Sequence, residues 1–262
     1  MPLYTDQTNH VIQLETPPNR IISLVPSQTE LLCDLGLADR LAGITKFCVH
    51  PREVFTSKTR VGGTKSVKTD LVRRLEPDLI IANKEENVRE QVEELRRYYP
   101  VWTSDINHLE DAYDMMTAIG ELTGTKPEAV QIINTVKAGF AQLAANPVAP
   151  RRAAYLVWQN PFMTIGGDTF ISDMLQRCGW TNVFAGRLRY PEITPEELQA
   201  AQCDLLLLSS EPFPFKEKHV KEWEQRLPGT KVLLADGEMF SWYGSRLLLA
   251  PEYFRQLQAQ LH

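Results

Sequence analysis

The chain has 262 residues, of which 43% are hydrophobic and 23% charged. At roughly 150 residues per domain that is one large domain or two ordinary ones, with globular composition and not that of a fibre or a disordered tail. Acidic residues outnumber basic ones, 33 to 28, giving a net charge of −5, which argues against a nucleic-acid binder, since that class carries a basic field. No run approaches the roughly 18 uncharged apolar residues of a membrane span. Residues 1–20 are polar and lack the basic start and apolar core of a secretory signal. Taken alone, that points to the cytoplasm. Cys33, Cys48, Cys178 and Cys203 form no C-x-x-C pair. Free thiols are expected, with bridges in an oxidising compartment as the alternative.

In chain order, 20–26 (RIISLVP) predicts a short buried strand ended by Pro26. Ser27 and Glu30 have the spacing of a capping box for the helix that follows, which Gly36 stops. Residues 41–44 predict a strand, 70–75 a helix, 79–82 a strand, 86–98 an amphipathic helix, 101–103 a strand and 108–123 a helix. One long helical pattern fills 126–146, with Pro127 in its first turn. Strands are then expected at 153–157, 204–208 and 231–235, and helices at 169–178, 195–202, 216–226 and 246–261. Short apolar strands alternating with helices predict an α/β fold of parallel sheets covered on both faces.

The second half repeats the first. Residues 30–43 align without a gap with 173–186, matching Gly36 to Gly179 and Ala42-Gly43 to Ala185-Gly186. Residues 69–82 align with 195–208, matching Asp78 to Asp204 and Asp70 to Glu196. Two such matches in the same order predict two similar lobes: an N-terminal α/β lobe (1–124), a connecting backbone helix (125–147) and a C-terminal α/β lobe (148–262). At 1.5 Å per residue the connecting helix spans roughly 30 Å. A cleft between two lobes is a favoured place for a small ligand.

The segments RIISLVPSQTELLCDLGL, VGG (61–63) and DLVRRLEPDLIIA resemble the substrate-binding proteins of ABC importers for cobalamin, ferric siderophores and haem, the cobalamin-binding members above all. The resemblance runs from about Arg20 to Leu261. It implies two α/β lobes joined by one long helix, small hinge motion, a periplasmic location and no catalysis. It implies no intrinsic cofactor, the bound ligand being a cobalamin or an iron chelate, and a dimeric ABC permease as partner. A monomer is expected. In that family an acidic residue at the positions of Asp70 and Glu196 docks into arginine pockets of the permease. Asp70 is shorter than the Glu usual there, and Glu76 and Glu197 are nearby substitutes. Each carboxylate otherwise only favours a helix N-terminus.

Ligand contacts are expected on loops after strands. In 45–51, Phe47 aligns with an aromatic contact of the cobalamin binders. His50 would ligate a metal or pack as loop structure against Pro51. Lys65 lies near a tryptophan contact of the family, and Asn83 and Lys84 follow the third strand. Trp158 and Phe162 are aromatic wall candidates, with burial in the lobe core as the alternative for Trp158. Gly166-Gly167 followed by Asp168 reads as a turn more than a phosphate loop. Arg187 and Arg189 flank Tyr190, which aligns with a ligand-facing tryptophan, and arginine forks suit carboxylates. In 236–250, Glu238, Trp242 and Tyr243 precede Arg246, which matches a cleft arginine of the family. The lysines and arginines together favour an anionic chelate.

Enzyme signatures are missing: G-x-S-x-G, the P-loop and H-E-x-x-H do not occur, and the five histidines lack zinc spacing. The reading is a binding protein that captures a metal-chelate nutrient, a ferric siderophore or a cobalamin-like corrinoid, between two lobes and delivers it to an ABC permease. The alternative is a cytosolic chelate-processing enzyme or carrier reusing the fold.

Overall fold

The computed structural model describes residues 2–261. The chain divides into two compact units. The first takes residues up to Ile106, then Glu110–Asn134 and Tyr243–Arg246; the second takes Asn107–Leu109, Thr135–Trp242 and the chain from Leu247 on.

The first unit begins with an antiparallel hairpin, β1 (Leu3–Thr5) and β2 (Val11–Gln13), which the sequence reading did not anticipate. Buried Asp6 organises it. One carboxylate oxygen accepts the backbone N–H groups of Thr8 and His10, and the other accepts the Arg96 guanidinium at 2.8 Å and the Thr103 N–H at 3.1 Å. The chain then runs β3 (Ile21–Ser23), α1 (Pro26–Asp34), β4 (Leu41–Ile44), α2 (Arg52–Ser57) and β5 (Thr59–Arg60). A small hairpin, β6 (Gly62–Gly63) and β7 (Ser66–Val67), precedes α3 (Thr69–Leu75), β8 (Leu79–Asn83), α4 (Arg89–Arg96), β9 (Val101–Ser104) and α5 (Leu109–Thr123). Five parallel strands form one sheet in the order β5-β4-β3-β8-β9. All five residues of β8 are buried, as a strand covered on both faces requires. Ile22, Val61, Val72, Ile80, Leu95 and Val101 belong to one core cluster.

Helix α6 (Lys126–Ala144) starts in the first unit and ends in the second. The second unit continues with β10 (Arg151–Leu156), α7 (Phe170–Arg177), β11 (Trp180–Asn182), α8 (Pro195–Ala200), β12 (Leu205–Ser209), α9 (Glu217–Arg226), β13 (Lys231–Ala235), α10 (Gly237–Ser241) and α11 (Ala250–Ala259). Its sheet is also parallel, in the order β11-β10-β12-β13. Leu156, Leu198, Leu206, Leu208, Phe215 and Trp223 fill one core cluster.

The internal repeat is visible atom by atom. Asp78 holds the Arg20 backbone across neighbouring strand starts: the Asp78 N–H donates to the Arg20 carbonyl, and the Arg20 N–H to the Asp78 carboxylate at 2.9 Å. Asp204 holds Arg152 in the same way, with the Arg152 N–H 2.7 Å from the carboxylate. Both guanidiniums reach the carbonyls at the end of the preceding helix, Leu75 and Glu76 in one case, Ala201 and Gln202 in the other. Glu76 and Gln202 both turn left-handed there, at φ 44° and 47°.

Two local expectations are corrected. Pro26 occupies the first helical position of α1, so Val25 is the N-cap and Ser27 caps nothing. Helix 246–261 is interrupted: Ser245–Leu248 is a 3₁₀ turn and α11 begins at Ala250. All four cysteines are unbridged. Among the described residues no helix is long and apolar enough to cross a membrane.

Candidate functional site

Each parallel sheet reverses its strand order once. The first starts at β3, adds β4 and β5 on one side, then β8 and β9 on the other; the second starts at β10, adds β11, then β12 and β13. Loops leaving the carboxyl ends of β3 and β8, and of β10 and β12, therefore diverge, which opens a crevice at the reversal. Those loops and their neighbours carry most of the residues singled out in the sequence.

In the first unit, Phe47 stands 50% exposed after β4. Its ring lies so close to Gly63 that a Cβ there would come within 3.2 Å of it, and the Lys46 ammonium lies 4.9 Å from the ring centre. His50 is partly buried on the same loop. Asn83 is not placed for a ligand, contrary to expectation. It is buried; its Oδ1 accepts the N–H groups of Glu85 and Glu86 at 2.8 and 2.9 Å, and its amide donates to Ser104. Neighbouring Asn87, overlooked in the sequence, ties three segments together. Its amide donates to the Leu24 and Thr64 carbonyls and its oxygen accepts the Asn83 N–H. Lys84 pairs with Asp105 at 2.5 Å, and Lys65 donates to the Glu85 carbonyl.

Arg246 belongs to the first unit with Tyr243, and it grips Glu30 of α1 with two parallel bonds of 2.7 and 3.0 Å. Both side chains are largely buried, at 11% and 17% exposure. Burial pushes the Glu30 carboxyl up from its ordinary value, and Arg246 opposes that shift. Tyr243 is buried, so it offers little surface to a ligand, and Glu30 is the partner that sequence spacing assigned to a helix cap.

In the second unit, Trp158 follows β10 at 38% exposure, its ring edge-to-face with Phe213 at 5.8 Å. Phe162 packs instead on buried Trp223, 5.1 Å between centroids, which settles it on the core side. Gly166 and Gly167 donate to the carbonyls of Arg189 and Arg187 at 2.6 and 3.0 Å, so the glycines admit a close strand of backbone and hold no phosphate-type turn. That contact positions the 185–190 loop. Arg187 pairs with Glu197, whose carboxyl it holds below the usual range. Arg189 donates to Asn107 at 3.1 Å and to the Asp168 carbonyl, and it lies 5.9 Å from the half-buried Tyr190 ring. Glu238 is partly buried in the first turn of α10. Trp242 is buried and donates its indole N–H to Glu211 at 3.0 Å. Glu211, on the loop after β12, was not found from sequence. Burial pushes its carboxyl up, as do Glu238 and Asp236 nearby.

Asp70 and Glu196 are both exposed in the first turn of their helices, α3 and α8. Thr194 and Glu197 form the capping box of α8, leaving Glu196 outward. Among the described residues no group of three or more His, Cys, Asp or Glu side chains could hold a metal ion, so His50 has no such company.

The family model described as periplasmic binding protein matches residues 21–230. The chain belongs to the periplasmic binding protein family. A vitamin B12-binding protein of Vibrio parahaemolyticus is 25% identical over 219 residues, 82% of this chain and 79% of the relative. Among solved structures, the periplasmic vitamin B12 binding protein of Vibrio cholerae superposes with a TM-score of 0.80 at 22% identity, covering 94% of this chain and 98% of the other. A protein of the ABC-type Fe3+-hydroxamate transport system from Saccharomonospora viridis gives 0.78 at 17% identity, over 97% and 98%. These likenesses agree with the two parallel α/β sheets described above. Proteins of this family bind substrates for import.

Proposed function

We propose that this chain is the substrate-binding protein of an ABC importer, capturing a metal-chelate nutrient, a cobalamin-like corrinoid or a ferric siderophore, without altering it chemically. Beyond family membership, the observation that carries the reading is a large, half-exposed aromatic ring at the carboxyl end of each sheet, Phe47 and Trp158. Rings of this kind give much contact area at little entropy cost. Tyr190 on the 185–190 loop and His50 on the 45–51 loop would add to that surface. The chain works outside the cytoplasmic membrane, holds no cofactor of its own, and presents Asp70 and Glu196 to a two-fold permease. Equivalent anions on equivalent helices suit a two-fold partner and fix register. The enzyme or carrier alternative finds no support in the family.

Titration of the purified chain with cyanocobalamin, haem and ferric siderophores, followed by tryptophan fluorescence, tests the reading. Saturation by at least one at micromolar concentration is expected. Failure of all of them refutes it.

A further inference from the structure

We infer that the chelate taken by this chain carries no net negative charge. The inference deepens the proposed function and rests on it. Arginine recognises an anionic group by presenting two parallel N–H donors. Of the three arginines on the candidate loops, Arg246 and Arg187 have each committed two donors and Arg189 has committed one amine. Arg246 gives Nε and Nη2 to the Glu30 carboxylate. Arg187 gives one amine to Glu197 and another to the Glu192 carbonyl. Arg189 gives Nη1 to Asn107 and the Asp168 carbonyl, with the Asp168 carboxylate 3.8 Å away. Of the lysines, Lys84 holds Asp105, Lys65 turns onto the Glu85 carbonyl and Lys46 covers the Phe47 ring.

An anionic ligand that took Arg246, Arg187 or Lys84 would have to displace a resident carboxylate and leave it without its cation. For Glu30, which is largely buried, losing its partner is costly, and like charges across an interface repel. The loops after β12 and β13 add further acid, with Asp236 and Glu238 close enough to act on Glu211. What the loops offer is aromatic surface and acceptors. That suits a corrinoid fringed with amides, or a ferric trihydroxamate, in which three anionic donors cancel the ferric charge. It disfavours haem with two carboxylates and a ferric tris-catecholate, which keeps three negative charges.

Calorimetric titration of the full chain with cyanocobalamin, a neutral ferric trihydroxamate, haem and a ferric tris-catecholate decides the matter. At least one neutral probe is expected to bind, with both anionic probes at least about tenfold weaker. Glu197→Gln frees Arg187 while keeping a residue that closes the α8 capping box. It is expected to improve haem binding relative to the neutral probe by about threefold, the scale of an exposed ion pair. Haem or the tris-catecholate binding as tightly as the best neutral probe overturns the inference and leaves the proposed function standing. Saturation by none of the four overturns both.

Discussion

Gly166→Ala and Gly186→Ala make a matched pair on the two sides of one loop. At Gly166 an added Cβ would lie 2.4 Å from the Arg187 carbonyl oxygen and 2.7 Å from the Leu188 carbonyl carbon, both of them backbone. At Gly186 it would meet nothing within 4 Å. Ordinary contact needs about 3.4 Å or more, so the 185–190 loop must retreat by about 1 Å at Gly166. That retreat strains the hydrogen bond from Gly166 to Arg189, 2.6 Å, and the neighbouring bond from Gly167 to Arg187, 3.0 Å. Each is worth about 1 kcal/mol net, and overpacking costs about 1–3 kcal/mol. A loss of about 2–3 kcal/mol follows, or a Tm lower by roughly 4–10 °C for a chain of this size. Gly186→Ala should shift Tm by less than about 2 °C, and upward if at all, because alanine restricts the unfolded chain. Because Tyr190 rides on the displaced loop, chelate affinity should fall with Gly166→Ala and hold with Gly186→Ala. Equal melting shifts in the two variants would refute the argument from close backbone approach.

Glu211→Gln tests the buried carboxyl through pH. A carboxyl whose native pKa is raised binds its proton more tightly when folded, so wild-type stability falls as pH rises from the unfolded value through the native one. Glutamine has no such penalty. It should raise Tm near pH 8 and leave it unchanged near about pH 4; an identical difference at both pH values would exclude this cause. Asn83→Ala should cost about 2–3 kcal/mol in denaturant unfolding, by orphaning the Glu85 and Glu86 N–H groups. Unchanged stability with weaker chelate binding would return Asn83 to the ligand surface. Asp70→Lys and Glu196→Lys should each lower permease-stimulated ATPase activity while chelate affinity stays as it is; unaltered stimulation would remove these carboxylates from the docking face.

The two sheets were legible because their strands are short apolar runs bounded by turn residues. The repeat was legible because Asp78 and Asp204 perform one backbone task in both units. The two-residue strands β5, β6 and β7 carry too little pattern to register as periodic. Ser27 misled because Pro26 sets the helix start one residue earlier than a serine cap would. Site residues were harder for a different reason. The candidate loops do follow strands, but a side chain's availability depends on partners that spacing does not disclose. Arg246 and Glu30 are 216 residues apart in sequence, so an arginine that looked open to a ligand is closed by a glutamate that looked like a cap. Asn83 and Trp242 turn inward, while Glu211 had no motif around it.

The short excursion of Tyr243–Arg246 into the first unit bears on how the protein can be divided. A fragment ending after α6 would hold most of that unit but lack the guanidinium that neutralises Glu30. It would also lack Gly244, which sits where a Cβ would come within 3.0 Å of the Ser27 carbonyl. The complementary fragment would carry four residues whose partners are on the other piece. Each half alone is expected to be less stable than in the whole chain, and complementation between them should depend on those four residues being present.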